Sequence, residues 1–298
     1  MIVLILGATG FVGHNIYEVL VEEFICFGTS RNDLLDSYVV RYKFDISVRE
    51  SWDFIVDLNP DVIVNCIAYG VINSENDTNQ LFDVNYFNCV EFYIFLSLFL
   101  PNSYIIHIGT AFEYSLNGCQ IDENTPCIPT SNYGASKWLI SNFLLNNSIC
   151  NKFTVVRPFN MFGPHEHCSK IVPALILAQI RKIPIQLTSG KQLRDFNYVR
   201  DLGSFLIKLI KIQSKPKVVN YGSGEGISIR TIANVIKSNL SEFDEKYWCW
   251  GNLKSTLKEP QCVVNSSLLG FNILSRKTDI SIALLETIKH YEVKIISE

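Results

Sequence analysis

The chain has 298 residues, 48% of them hydrophobic and 18% charged, and a formal net charge of −3. This composition excludes intrinsic disorder and supplies a sizeable core, and at about 150 residues per domain the length fits two domains. With no basic excess there is no long-range field for nucleic acid or an anionic membrane surface, so any affinity for phosphate has to be local.

Short apolar runs and amphipathic stretches alternate through the first half, the rhythm of a parallel sheet covered by helices. Strands are expected over 2–6, 24–28, 62–66, 104–108 and 153–156. Their apolar runs are continuous rather than alternating, which suits strands buried on both faces. Helices are expected over 10–22, 48–58, 81–100 and 133–147. Beyond Pro164, helical patterns at 171–180, 229–240 and 280–291 are separated by polar, loop-rich segments. The reading is an α/β unit with a doubly wound parallel sheet over 1–164, completed by about 195–221, and a smaller, mostly helical unit over 165–298. The apolar start Met1-Ile2-Val3-Leu4-Ile5-Leu6 has no basic region and is not read as a signal peptide. The most apolar later stretch, 90–100, is shorter than the roughly 20 residues that a bilayer span needs. A cytoplasmic protein without membrane contact is expected. Nine cysteines without a CxxC pair read as buried reduced thiols, with no metal site.

Gly7-Ala8-Thr9-Gly10-Phe11-Val12-Gly13 follows the first strand and opens the first helix. In that strand–turn–helix setting Gly7 permits the tight turn, Gly10 lets backbone approach a pyrophosphate, and Gly13 lets the helix pack closely. The helix N-terminus then offers free N–H groups and a partial positive charge to a diphosphate. The first unit thus reads as a dinucleotide-binding Rossmann domain and the second as substrate-binding. The second strand ends in Gly28-Thr29-Ser30-Arg31, where an NAD site usually carries an acid; Asp33 lies beyond that place. An Arg there accommodates a 2′-phosphate, so Ser30 and Arg31 point to NADP(H) over NAD(H). Asp45 and Ile46 are placed around the adenine, the carboxylate accepting from its amino group.

Tyr133 and Lys137 stand four residues apart, on one helical face. A phenol with an ordinary pKa of about 10 needs roughly 4 kcal/mol of differential stabilisation to ionise near neutrality. An adjacent ammonium and the positive charge of a nicotinamide are expected to supply it in a water-poor site. Thr110, at the turn after the strand over 104–108, offers a hydroxyl to the same substrate oxygen that Tyr133 protonates or deprotonates.

These segments occur in a particular order. Gly7–Gly13, Asn65-Cys66-Ile67-Ala68, Asn85 in Asp83-Val84-Asn85, Gly109-Thr110 and Tyr133–Lys137 come first. Arg157-Pro158-Phe159-Asn160-Met161-Phe162-Gly163-Pro164, Gln192-Leu193-Arg194-Asp195-Phe196-Asn197-Tyr198-Val199 and Asn220-Tyr221-Gly222-Ser223-Gly224 follow. The chain resembles, nearly end to end, the extended short-chain dehydrogenase/reductases that act on nucleotide sugars, the NAD-dependent epimerase/dehydratase group. The resemblance implies that Thr110, Tyr133 and Lys137 are catalytic. It implies that Gly7, Thr9, Gly10, Phe11, Val12, Gly13, Ile67, Ala68, Asn85, Pro158 and Phe159 line the cofactor. It places Tyr69, Ala111, Phe112, Asn160 and Arg194 on the substrate, the last two at its diphosphate, where a guanidinium makes charge-assisted bonds. An Arg usual before the late Pro is missing from Ser255-Thr256-Leu257-Lys258-Glu259-Pro260; Lys258, or Lys254, stands in.

The resemblance also separates reactions. Sugar 4,6-dehydratases carry acids directly after the catalytic Thr, and C3/C5 epimerase-reductases carry a Cys two residues on. Ala111 and Phe112 cannot transfer protons, so dehydration is not expected. The run His165-Glu166-His167 reads as a solvated loop, with His165 still open as a neighbour of the sugar. A 4-ketoreductase using NADPH and a 4-epimerase retaining NAD remain. Ala68-Tyr69-Gly70-Val71 and Gly109-Thr110-Ala111-Phe112-Glu113-Tyr114 are similar to reductases of dideoxyhexose synthesis such as CDP-abequose synthase, of the O-antigen type. A non-catalytic NADP-sensing regulator, the reading from another class, sits poorly with an intact Tyr–Lys pair. The helices over 81–100 and 133–147 are apolar most of the way round, and relatives dimerise through them as a four-helix bundle; a homodimer is expected.

Overall fold

The computed structural model describes residues 1–32, 39–72, 75, 77–115, 120–147, 152–253, 263–264 and 278–297. Seven strands form one parallel sheet: β1 (Ile2–Leu6), β2 (Ile25–Ser30), β3 (Val40–Lys43), β4 (Val62–Asn65), β5 (Tyr104–Ile108), β6 (Phe153–Pro158) and β7 (Val218–Tyr221). Their spatial order is β3-β2-β1-β4-β5-β6-β7. The chain lays down one half of the sheet, returns to the middle and builds the other half, so the order reverses between β1 and β4. In open α/β sheets that switch point, at the carboxyl ends of the strands, is where a crevice opens.

Side chains of a strand alternate between its faces, and here both faces are covered. Val3 and Ile5 join Val62, Val64, Ile106 and Val156 in one core, closed by α1 (Phe11–Leu20) and, later in the chain, the helix over 199–211. Leu4 and Leu6 enter the opposite core with Ile63, Ile105 and Val155. That second layer contains α2 (Asp53–Leu58) and a helix running from α3 (Thr78–Phe82) through a π-turn (Asp83–Phe87) into α4 (Asn88–Phe99). It is completed by α5 (Asn132–Asn146). Double coverage is why β1, β4 and β5 read as unbroken apolar runs.

Three of the departures from expectation bear on the sheet unit. β3 was not expected: Val40-Arg41-Tyr42-Lys43 is an edge strand whose Arg41 and Lys43 are exposed, the charged pattern that protects a sheet edge. The helix expected from residue 81 begins at 78, because the Asp77 carboxylate accepts from the Asn79 and Gln80 N–H groups at 2.9 and 3.1 Å. The third is α7 (Val199–Lys211), whose stripe of Leu202, Phe205, Leu206, Leu209 and Ile210 packs on the sheet core. Gly203 lets α7 approach α1, since a Cβ there would stand 2.7 Å from the Val19 Cβ.

A separate core gathers α6 (Ile171–Ile180), α8 (Ile229–Asn239) and α9 (Ile280–Ser297) around Phe162, Tyr198 and Trp248. Three histidines join α9 to the sheet layers. The His165 ring lies 3.9 Å from His14 of α1 and 4.3 Å from His290 of α9, centroid to centroid. Beside them Arg200 of α7 bridges Glu18 of α1 at 2.6 Å and Glu286 of α9 at 3.4 Å. His165 as a whole is exposed, but desolvation of its ring between the two imidazoles, followed by their charges, pushes it down to about 4. Burial likewise lowers His14 and His290, against the pull of Glu18.

A depressed imidazole binds fewer protons folded than unfolded, so its stabilising contribution is complete above its unfolded pKa near 6.5 and shrinks below it. The melting temperature should therefore fall as pH drops from 7 to 5. His165→Asn keeps a residue that tolerates the positive φ of 65° at this position and should flatten part of that dependence. Unfolding curves of the two proteins that stay parallel across this range would count against the histidine joint.

Candidate active site

At the end of β1 the backbone turns at Gly7, with φ 74°. The Gly7 N–H donates to the Thr29 hydroxyl at 3.2 Å, the Ala8 N–H to the Thr29 carbonyl at 3.0 Å, and the Gly10 N–H to the Gly7 carbonyl at 3.0 Å. Gly13 is required because a Cβ there would lie 2.2 Å from the Gly7 oxygen. Thr9 and Gly10 are exposed, and as helix cap Gly10 has no side chain to occupy the first-turn N–H groups at Phe11, Val12 and Gly13. Across the switch point, Ile67 packs beneath Gly7, and Ala68 follows it half-buried. Asn65 shapes this end of β4: its Oδ1 accepts from the Ile67 N–H at 3.0 Å, and its amide donates to Tyr93 Oη at 2.9 Å. A cradle of backbone with room only for glycine suits the diphosphate of a dinucleotide.

At the end of β2, Ser30 is buried and accepts from the Asn32 N–H at 3.1 Å, while Arg31 stands exposed. Asp33 lies outside the described residues. The Asp45 carboxylate accepts from the Ser47 N–H and hydroxyl at 2.9 and 2.6 Å. Ile46 points into the core with Phe44 and Trp52 rather than toward the crevice.

Thr110 follows β5 and opens a single 3-10 turn, Ala111–Glu113. Its hydroxyl accepts from the Phe112 N–H at 3.3 Å, and the Glu113 carboxylate accepts from the Thr110 N–H at 3.0 Å, a reciprocal capping box. Gly134 brings α5 against this turn, since a Cβ there would lie 2.2 Å from the Phe112 oxygen. The Tyr133 phenol is thereby brought beside the Thr110 side chain, whose hydroxyl acts to lower its pKa. Lys137, one turn on, is buried. Ala111 is buried in a small cluster with Phe159 and Tyr114, whereas the Phe112 ring is 47% exposed beside Tyr133, 6.3 Å between centroids.

Asn85, in the π-turn, ties the far wall to α5. Its Oδ1 accepts from the Tyr69 N–H at 2.8 Å, and its amide donates to the Tyr69 carbonyl at 2.8 Å and to Ser136 Oγ at 3.0 Å. The wider turn shifts a side chain out of helical register, a device common at functional sites. Glu75 holds the next stretch, accepting from the Gly70 and Val71 N–H groups at 2.8 and 3.0 Å.

The phenol was expected to be held acidic by Lys137. In the polypeptide itself the balance runs the other way. The ring keeps some exposure, but its hydroxyl end is enclosed: burial pushes Tyr133 well up, Glu113 and then Glu75 add to it, and the bond with Thr110 opposes. Burial lowers Lys137, against Cys89, Glu113 and Cys66. Desolvation disfavours the charged form of both groups at once.

Pro158 ends β6 half-buried, and the Phe159 N–H donates to the Tyr221 carbonyl at 2.9 Å. The Asn160 carbonyl accepts from the Asn197 N–H at 2.9 Å. Arg194 is half-buried on a short antiparallel ladder with Ile227. Asp195 is buried, and its carboxylate accepts from the Ser223 and Gly224 N–H groups at 2.9 and 3.0 Å. Lys254 and Lys258 lie outside the described residues. His165 belongs to the histidine joint, and His167 pairs with Ser169 Oγ at 2.8 Å on the surface. Sequence reasoning passed over Glu113 and Arg157, which meet at 2.8 Å beneath Thr110. The spacing Thr-x-x-Glu was a readable signal for the first; nothing local announced the second.

Among the described residues no group of three His, Cys, Asp or Glu is placed to hold a metal, and no helix is long and apolar enough to cross a membrane. Cys26, Cys66, Cys89, Cys127, Cys168 and Cys249 are free thiols; contrary to expectation Cys168 is exposed.

The sequence profile of the NAD dependent epimerase/dehydratase family matches residues 3–222. The chain belongs to that family. It is 25% identical to GDP-6-deoxy-D-talose 4-dehydrogenase of Aggregatibacter actinomycetemcomitans, over 79% of each chain. It is 23% identical to CDP-abequose synthase of Yersinia pseudotuberculosis, over 70% of this chain and 73% of that one. In structure it is similar to UDP-glucuronic acid 4-epimerase from Bacillus cereus, solved with UDP-glucuronic acid and NAD. The TM-score is 0.85 at 20% identity, over 99% of this chain and 100% of that one.

The crowding at Gly13 makes the cradle testable. Gly13→Ala must push the helix start off the Gly7 turn, and NADH or NADPH affinity, read by nucleotide fluorescence, should fall by about tenfold or more. Undiminished affinity would mean that the dinucleotide sits elsewhere.

Proposed function

We propose that the protein is an NADPH-dependent reductase of the C4 keto group of a nucleotide-linked 4-keto-deoxyhexose, in deoxysugar synthesis. The observation that carries this reading is the meeting of Thr110 and Tyr133 above Lys137, flanked by Ala111 and Phe112, which have no proton to move. A neutral phenol is in the state that a reduction needs, an acid ready to give its proton. The sheet unit over 1–164, with β7, would hold the dinucleotide, and 165–298 the sugar nucleotide.

The Gly7–Gly13 cradle, Ile67, Ala68, Asn85, Pro158 and Phe159 would hold the dinucleotide, with Ser30 and Arg31 at a 2′-phosphate and Asp45 near the adenine. When bound, it supplies the hydride to C4. Tyr133 gives its proton to the C4 oxygen as negative charge develops there, and the Thr110 hydroxyl donates a hydrogen bond to the same oxygen. Lys137 stabilises the phenolate left behind and holds ribose hydroxyls. Asn160 and Arg194 hold the diphosphate of the substrate, with Lys258 in the place of the missing Arg, while Tyr69 and Phe112 contact the sugar.

A second reading, a 4-epimerase retaining NAD, draws support from the NAD bound in the Bacillus cereus neighbour. Against it, an exposed Arg31 stands where an NAD site usually has an acid.

Purified protein given NADPH and a CDP-4-keto-6-deoxyhexose should consume the cofactor. Tyr133→Phe should cut turnover about 10²- to 10⁴-fold with little change in NADPH affinity, and Arg31→Ala should weaken NADPH selectively over NADH. Interconversion of nucleotide hexoses without net loss of NADPH would favour the epimerase.

We further propose that a second copy covers the exposed Phe87, Ile94 and Leu98 on the helix over 78–99 and Leu145 on α5. Light scattering should give a dimer, and Leu98→Glu a monomer; a monomeric parent at micromolar concentration would refute this.

A further inference from the structure

Beneath the Thr110 turn lies a charged pair for which no role has been given. The Glu113 carboxylate is fully buried: Oε1 accepts from the Thr110 N–H at 3.0 Å and Oε2 from Arg157 Nε at 2.8 Å. Arg157, 3% exposed on β6, also donates through Nη1 to Tyr114 Oη at 2.8 Å. Tyr114 in turn donates to Asn220 Oδ1 on β7 at 2.9 Å. The turn after β5 is thereby tied to the two neighbouring strands. Room for the carboxylate exists only because residue 109 is glycine, where a Cβ would lie 2.4 Å from Glu113 Oε1. From the opposite side α5 presses on the same turn through Gly134.

A cap needs no buried ion pair. The acid of a capping box commonly meets solvent, and desolvating two charges carries a cost that apolar residues of the same volume would avoid. What the pair adds is control of charge beside the reacting groups. Two charged groups bear on Tyr133, Glu113 from the turn and Glu75 from the opposite loop, and Lys137 stands four residues on in its own helix. Glu113 faces Arg157 from β6, Lys137 from α5, and Cys127. Without Arg157 the buried Glu113 carboxylate would be uncompensated; without Glu113 the buried Arg157 guanidinium would be.

We propose that Glu113 and Arg157 act as positioning residues: a clamp that fixes the Thr110 turn beside the Tyr133 phenol, in which Arg157 balances the Glu113 charge that bears on that phenol. The inference rests on the reductase reading for its kinetic test, and its spectroscopic test, which needs no turnover, uses the Glu113 charge acting on Lys137.

Three variants test it. Glu113→Gln keeps the acceptor for the Thr110 N–H and leaves the Arg157 charge uncompensated. The alkaline limb of the kcat/KM profile, where Tyr133 loses its proton, should move down by about one pH unit. Arg157→Gln should move it up, and the double variant should return it to the parent position with turnover partly restored. Loss of turnover in all three with an unmoved alkaline limb would make the pair merely structural and overturn the proposal. Should Arg157→Gln fail to fold, Glu113→Gln and the double variant decide. The second readout needs no substrate. Lys137 followed by NMR on 13Cε-lysine should titrate lower in Glu113→Gln than in the parent and recover in the double variant. If no nucleotide ketosugar turns over, that titration still decides: a shift supports the clamp, and an unmoved Lys137 overturns it.

Discussion

A parallel sheet delivers the carboxyl ends of all its strands to one edge, and the groups with chemistry in this chain stand along that edge. Gly7 follows β1, Ile67 follows β4, Thr110 follows β5 and Pro158 closes β6. The sheet can hold these ends in register because both its faces are buried, so no strand can slip without exposing a core side chain. Helices then bring in the remaining parts. α1 aims its uncapped N-terminus at the switch point, and α5 carries Tyr133 and Lys137 over the turn after β5.

Close backbone approach is the second constraint, and it explains glycines that would otherwise look incidental. Gly13 against the Gly7 carbonyl and Gly134 against the Phe112 carbonyl are contacts at which a single Cβ would stand 2.2 Å from an oxygen. One seats a helix on the Gly7 turn; the other seats the helix bearing the phenol on the turn that Thr110 opens. Both are places where the chain gives up a side chain to gain position.

The electrostatics of the site follow from burial rather than from attraction. Tyr133 rises and Lys137 falls because each is enclosed, and the nearest full charge, Glu113, is answered at 2.8 Å by Arg157. A phenol kept neutral is suited to giving a proton away. In the proposed reduction the ammonium four residues on matters after the proton has gone, when there is a phenolate to stabilise. Spacing alone suggested an acidified phenol, because i and i+4 place two groups together without saying how much water remains between them.

Features that depend on neighbours in sequence were legible before any coordinates. The glycine turn, the buried strands and the Tyr133–Lys137 pair are set by contacts within a few residues, where chain geometry leaves little choice. The stripe of α7 was equally readable at helical spacing and was overlooked, while β3 hid behind the charges of an edge strand. Only the fold could decide which distant residues meet. Arg157 reaches Glu113 across 44 positions, and His14, His165 and His290 converge from a helix start, a loop and the last helix. Such meetings are fixed by how the layers pack, and a linear pattern carries no record of them.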